Sequence, residues 1–143
     1  MGYYIEIEKS TFNIPEENLD KALAAFKELN RTTPDSEKRG GSYEGGVKAT
    51  SWFSWMPHDY DKYVTTAEEV LILLGFETHK DETTGAVHID KYDSKIGQEE
   101  LFLNAIAHLV DPNSQIFWKG EDGARWMWTP EGVYEAAITY TKV

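Results

Sequence analysis

The run His58-Asp59-Tyr60-Asp61 sets one imidazole and two carboxylates side by side, the donor types that hold a divalent ion in metal-dependent phosphohydrolases. A working centre of that kind needs a second histidine cluster. His79, His88 and His108 are each isolated in the sequence, two in strands and one on a helix, so the run reads as a solvated loop following a strand. Asp81, Glu82 and Asp90 flank one hairpin, and Glu121 and Asp122 occupy another. Acid–base work would require burial to shift them, whereas turn chemistry accounts for them without it. Ser42, Ser51, Ser54 and Ser94 have neither a nucleophile-elbow nor a Ser-x-x-Lys context. Binding is therefore expected over turnover, with no catalytic residue, metal site or cofactor assigned. A small phosphodiesterase using His58, Asp59 and Asp61 is the enzymatic alternative.

The segment Lys38-Arg39-Gly40-Gly41-Ser42-Tyr43-Glu44-Gly45-Gly46-Val47-Lys48 combines glycines with cations. Glycine lets backbone N–H groups approach an anion, and Lys38, Arg39 and Lys48 add charge. It matches neither the Walker pattern nor the dinucleotide fingerprint, because it does not open a helix directly after a strand. A flexible loop is the plainer explanation. Trp52, Trp55, Trp118, Trp126 and Trp128 all fall in expected strands. Trp126 and Trp128, at i and i+2, share one face of a strand and with Arg125 and Lys119 would make a stacking platform. A core wall is the alternative for any one of them.

These residues must be positioned by elements that the periodicity outlines. Tyr3–Glu8 alternates as a half-buried strand. Pro15, Glu16 and Glu17 open a helix whose Leu19, Ala22, Leu23, Phe26 and Leu29 share one face and which ends near Asn30. Residues 31–48 read as a loop and Ala49–Met56 as a strand bulky on both faces. A second helix is capped at Thr65 or Thr66 and stops at Gly75. Strands Phe76–Lys80 and Ala86–Tyr92 form a hairpin, a third helix covers about Gln98–Val110, and Gln115–Lys119, Ala124–Thr129 and Val133–Lys142 complete the chain as strands. The order from about residue 49 to 118 is βαββαβ. The expectation is a single α+β domain with a mostly antiparallel sheet, a ferredoxin-like core, an extra N-terminal βα unit and a C-terminal hairpin extension.

Composition narrows the partners. With 14 Lys and Arg against 25 Asp and Glu, the net charge of −11 repels nucleic acid and anionic membranes and favours a basic partner protein. The absence of cysteine excludes disulfides and thiolate chemistry and fits a reducing cytoplasm. The N-terminal residues do not form a signal peptide, and no apolar run approaches a membrane span.

Four runs carry a resemblance: Lys38-Arg39-Gly40-Gly41, Ser51-Trp52-Phe53-Ser54-Trp55-Met56, Tyr92–Leu103 and Trp118-Lys119-Gly120-Glu121-Asp122-Gly123. In their order the chain resembles a family of small bacteriophage-encoded accessory proteins of unknown function. The resemblance brings no catalytic residues. It implies, by analogy, a role in the host cytoplasm against a defence system, either sequestering a nucleotide signal or blocking a defence protein. For the first role the expected contacts are Lys38, Arg39, Gly40, Gly41, Lys48, Lys95 and Arg125 toward phosphate and Trp52, Trp55 or Trp126 toward a base, in a pocket that a homodimer seam would supply. For the second, the acidic surface would occupy a basic groove on a host protein.

Overall fold

The first strand, β1 (Tyr4–Ser10), turns Ile5 into the core, half-buries Ile7 and exposes Tyr4, Glu6 and Glu8, as its alternation dictates. The computed structural model describes residues 2–136 and 142–143, with Lys48 described in its backbone only. The remaining strands are β2 (Asn13–Ile14), β3 (Gly40–Glu44), β4 (Val47–Trp52), β5 (Glu77–Lys80), β6 (Val87–Lys91), β7 (Asp93–Lys95), β8 (Ile116–Gly120), β9 (Arg125–Thr129) and β10 (Gly132–Glu135). Three α-helices are described, α1 (Leu19–Thr32), α2 (Ala67–Leu74) and α3 (Glu99–Ala105).

Strand β1 lies between β7 and β8, and β8, β9 and β10 continue outward as a meander. On its other side β2 pairs with β6 and β6 with β5. The two sheets join where Ile7 N–H donates to the Tyr92 carbonyl (2.9 Å) and Ile89 N–H to the Phe12 carbonyl (3.4 Å). Taken as the first to fourth strands of the core, β1–β2, β5, β6–β7 and β8 lie in the order fourth, first, third, second, and the described pairings are antiparallel. That is the split βαβ arrangement of an α+β fold.

The expected fold class is therefore present, but its first strand is β1 and not the run 49–56. Residues 40–44 and 47–52 instead form a separate two-stranded hairpin between α1 and α2, with Gly45 (φ 57°) and Gly46 (φ 80°) at its tip. Two left-handed residues in a two-residue loop suit the twist of a hairpin, which is why a run first read as loop closes into one. Residues 53–56 leave the strand in a turn, with Met56 N–H bonded to the Phe53 carbonyl (2.9 Å). The N-terminal βα unit, expected as an addition, supplies the core itself. The last strand is described for Gly132–Glu135, and residues 137–141 of its expected span lie outside the described residues.

On α1 the buried positions are Ala22, Phe26 and Asn30, while Leu19, Leu23 and Leu29 pack at the margin of the core. Helix α2 begins as expected, with the Thr66 hydroxyl accepting from Glu69 N–H (3.1 Å), and ends at left-handed Gly75. Helix α3 is shorter than its apolar pattern, giving way to turns after Ala105. Phe102 joins these pieces, its ring 5.9 Å from Phe26, 5.0 Å from Phe53 and 5.8 Å from Tyr60. The turn after the hairpin is thereby packed against α3 and, through Phe102, linked to α1.

Candidate cleft beside the stacked tryptophans

Cross-strand pairing sets Trp118 of β8 opposite Trp126 of β9 and Ile116 opposite Trp128, so these side chains share the helix-covered face of the sheet. Aromatic contacts run from Phe76 to Tyr92 (5.3 Å), from Tyr92 to Trp118 (5.4 Å, edge-on) and from Trp118 to Trp126 (6.3 Å, rings 16° from parallel). Trp118 and Trp128 are buried and Trp126 is half-buried at the end of this row. The Trp128 indole N–H is satisfied by Asn104 Oδ1 at 2.9 Å.

Beside this row opens a cleft of about 630 Å³, within the range of small-molecule sites. Ile5, Leu101, Leu103, Trp118, Trp126 and Trp128 supply its apolar lining, and Glu37, Arg39, Gln98, Glu99, Glu100 and Asn104 its polar groups. Gln98, just before α3, fixes one wall. Its Oε1 accepts the backbone N–H groups of Arg39 (3.0 Å) and Ser54 (3.2 Å), and its Nε2 donates to the Glu37 carbonyl (2.9 Å). The base of the β3–β4 hairpin is thus tied to the start of α3, and Arg39 is set at the cleft.

Glu99 is the most buried carboxylate here, at 3% exposure. Its Oε1 accepts Gly97 N–H (2.7 Å) and lies 2.5 Å from the Tyr92 hydroxyl, whose one proton it shares with the Lys95 carbonyl at 2.6 Å. Burial, and then the adjacent Glu99 carboxylate, push the Tyr92 hydroxyl far above its ordinary pKa, so it stays a donor.

Of the residues expected to act, the fold brings Arg39 and Trp126 to the cleft. Lys38 is buried, its ammonium donating to the Asn30 carbonyl (2.9 Å) at the end of α1 and lying 5.3 Å from the Phe53 ring centre. Gly40 faces Trp52 across the hairpin, and the indole fills the space a side chain would need. Gly41 pairs with Ser51, and for Lys48 only the backbone is described. Trp55 is half-exposed and left-handed (φ 72°), with its indole N–H edge against Gly97. Lys95 lies over the Tyr4 ring, 5.9 Å from its centre, away from the cleft. Arg125 points to the opposite face of the sheet from Trp126, paired with Glu8 at 2.8 Å.

The histidines and acids of the enzymatic alternative are also placed. Asp61 accepts from the Asn30 amide (2.7 Å) and from Arg31 Nε (3.3 Å), while His58 Nδ1 is 3.9 Å from Asp59. His79 and His88, read as isolated, face each other across β5 and β6 with rings stacked at 4.6 Å, and His79 Nδ1 meets Asp90 at 2.7 Å. Counting the register outward from residues 81–85 would pair His79 with Val87; the connection is one residue longer, which brings His79 opposite His88. Among the described residues, no three His, Asp or Glu side chains are grouped so as to hold a metal ion. No sequence signal singled out Gln98, Glu99 or Asn104, since their roles come from contacts between elements distant in the chain.

No family model, no curated protein and no solved structure matches this chain.

Proposed function

We propose that this protein binds rather than transforms its ligand, and that the ligand is a nucleobase-bearing molecule held in the cleft beside Trp118 and Trp126. The observation that carries the reading is the near-parallel indole pair walling a cleft of about 630 Å³ with the Arg39 guanidinium among its lining groups. A planar base stacked on Trp126 would extend the aromatic row, a contact worth about 1–3 kcal/mol per base. Arg39 would meet a phosphate through charge-assisted hydrogen bonds.

The charge balance of the cleft narrows the ligand further. Arg39 shares the lining with exposed Glu37 and Glu100, while Lys38, Lys95 and Arg125 are engaged elsewhere. One guanidinium against three carboxylates, with Glu99 the third, suits a nucleoside or a single phosphate better than a triphosphate, whose added charge would be repelled. The anti-defence setting implied by the resemblance to phage accessory proteins belongs to the same proposal, with the protein sequestering a nucleotide signal.

Tryptophan fluorescence titrations with nucleosides and their mono- and triphosphates test it. Binding should fall in the order monophosphate, nucleoside, triphosphate. Trp126→Ala should weaken it roughly 10- to 100-fold. Arg39→Ala should remove the advantage of the monophosphate and leave the melting temperature nearly unchanged, because Gln98 grips the backbone N–H and the exposed side chain makes only a long 3.5 Å bond to the Gly97 carbonyl. Absence of any binding, together with recovery of a basic host protein on the purified chain, would replace this reading with that of an acidic inhibitor.

A further inference from the structure

We infer that Glu99 is the specificity-determining residue of the cleft, accepting an N–H from an amino-bearing nucleobase; the inference rests on the reading of the cleft as a nucleobase site. Glu99 is 97% withdrawn from solvent yet lines the cleft, and among the described residues it forms no ion pair. A carboxylate removed from water is costly unless donors or cations compensate it. Its two hydrogen bonds, from the Tyr92 hydroxyl and Gly97 N–H, both fall on Oε1. Oε2 takes neither.

Those two bonds also fix where Oε2 points. Tyr92 is buried and wedged between Phe76 and Trp118, and Gly97 precedes the residue that clamps the hairpin. The carboxylate therefore needs no reordering when a ligand arrives, so a donor offered to it gains a strong bond at little entropic cost. Asn104 complements it. The Trp128 indole N–H requires an acceptor, which assigns Oδ1 to that bond and leaves the Asn104 NH₂ as a donor in the cleft lining. An acceptor and a donor held beside a stacking surface match a base whose edge sets an amino group next to a ring nitrogen or carbonyl, as adenine and guanine do.

A purely structural role is the competing account, since Glu99 also ties the β7–α3 turn to Tyr92. Such a tether would affect stability without reading the ligand. The two accounts separate by deleting the amino group from the ligand. Adenosine 5′-monophosphate and purine riboside 5′-monophosphate share ring, sugar and phosphate, and only the first carries an N–H on its base. The wild-type protein should bind the first roughly 10- to 100-fold more tightly, the size of one charge-assisted hydrogen bond.

Glu99→Gln sharpens the test. Gly97 N–H can only donate, whereas the single Tyr92 hydroxyl proton lies within reach of both Oε1 and the Lys95 carbonyl (2.6 Å), so it is Gly97 that turns the carbonyl of the new amide toward itself and its NH₂ into the place of Oε2. A donor then faces a donor, and the preference for the amino ligand should vanish or reverse. Calorimetric titrations of wild type, Glu99→Gln and Trp126→Ala with both ligands read this directly. Equal affinity of the wild type for the two ligands, with Trp126→Ala weakening both, would overturn the role of Glu99 while the cleft reading stands. An amino preference that survives in Glu99→Gln would overturn it as well. Failure of both ligands to bind the wild type would remove the cleft reading itself. The comparison of ligands on the wild type decides even where Glu99→Gln does not fold.

Discussion

Lys38 and Arg39 are adjacent in the sequence and opposite in role. The Lys38 ammonium reaches the Asn30 carbonyl, one of the acceptors that a helix end leaves unpaired, and sits at the negative end of the α1 dipole over the Phe53 ring. Arg39 is exposed, held through its backbone N–H by Gln98 and through its side chain only by a long 3.5 Å bond from its guanidinium to the Gly97 carbonyl. Lys38→Met keeps the aliphatic bulk and removes the donor, so it should destabilise the fold by about 1–3 kcal/mol in urea unfolding, whereas Arg39→Ala should stay within about 0.5 kcal/mol. Equal effects would mean that Lys38 is not the cap. Sequence pattern separates these two poorly, because a glycine-flanked Lys-Arg pair carries no sign of which side chain the chain path will bury. Arg39 and Trp126, which line the cleft, were singled out by residue type. Glu99 was not, since a Glu in the first turn of a helix is usually a solvated dipole partner.

At the scale of elements, the strand pattern of β1, the face of α1 and the caps of α2 could all be read from residue spacing, and so could the β5–β6 hairpin. The split βαβ order was legible too, but assigned to the wrong first strand. Ala49–Trp52 has the bulk of a central strand, yet Trp52 packs across its own hairpin onto Gly40 and the chain turns at Phe53. Periodicity does not distinguish a strand buried by a sheet from one covered by its neighbour in a hairpin. At the base of that hairpin one side chain, Gln98, bonds both flanks, through Glu37, Arg39 and Ser54. Gln98→Ala should release the hairpin base without unfolding the sheet. In hydrogen exchange, the Arg39 and Ser54 amides should lose protection by about tenfold or more while the β1 and β8 amides keep theirs. Uniform loss across both groups would show that the hairpin and sheet unfold as one unit.

Across the whole molecule the carboxylates outnumber the cations, and three of them titrate below their ordinary range for local reasons. Burial alone would raise Asp61, but the Asn30 amide and the Arg31 guanidinium outweigh it. Backbone N–H groups of Thr84 and Thr83 lower Asp81, and the Tyr3 hydroxyl and then Ala124 N–H lower Asp122. In each case the unfolded chain binds its proton at about pH 4 while the folded chain still holds the ionised form. Between those two pKa values the unfolded state carries more protons, so falling pH favours unfolding. The contribution is complete above about pH 4 to 5 and is lost as pH falls through the folded values below 4. The melting temperature should therefore change little between pH 7 and 5 and drop below 4. Asp61→Asn tests the origin of that drop, since an amide cannot titrate. The variant should begin less stable at pH 7, where the wild-type carboxylate is at full strength, and its melting temperature should fall less steeply below pH 4. An acid limb as steep as the wild type's would place the loss with carboxylates other than Asp61, leaving the Asn30–Asp61 bond a contact that acid does not break.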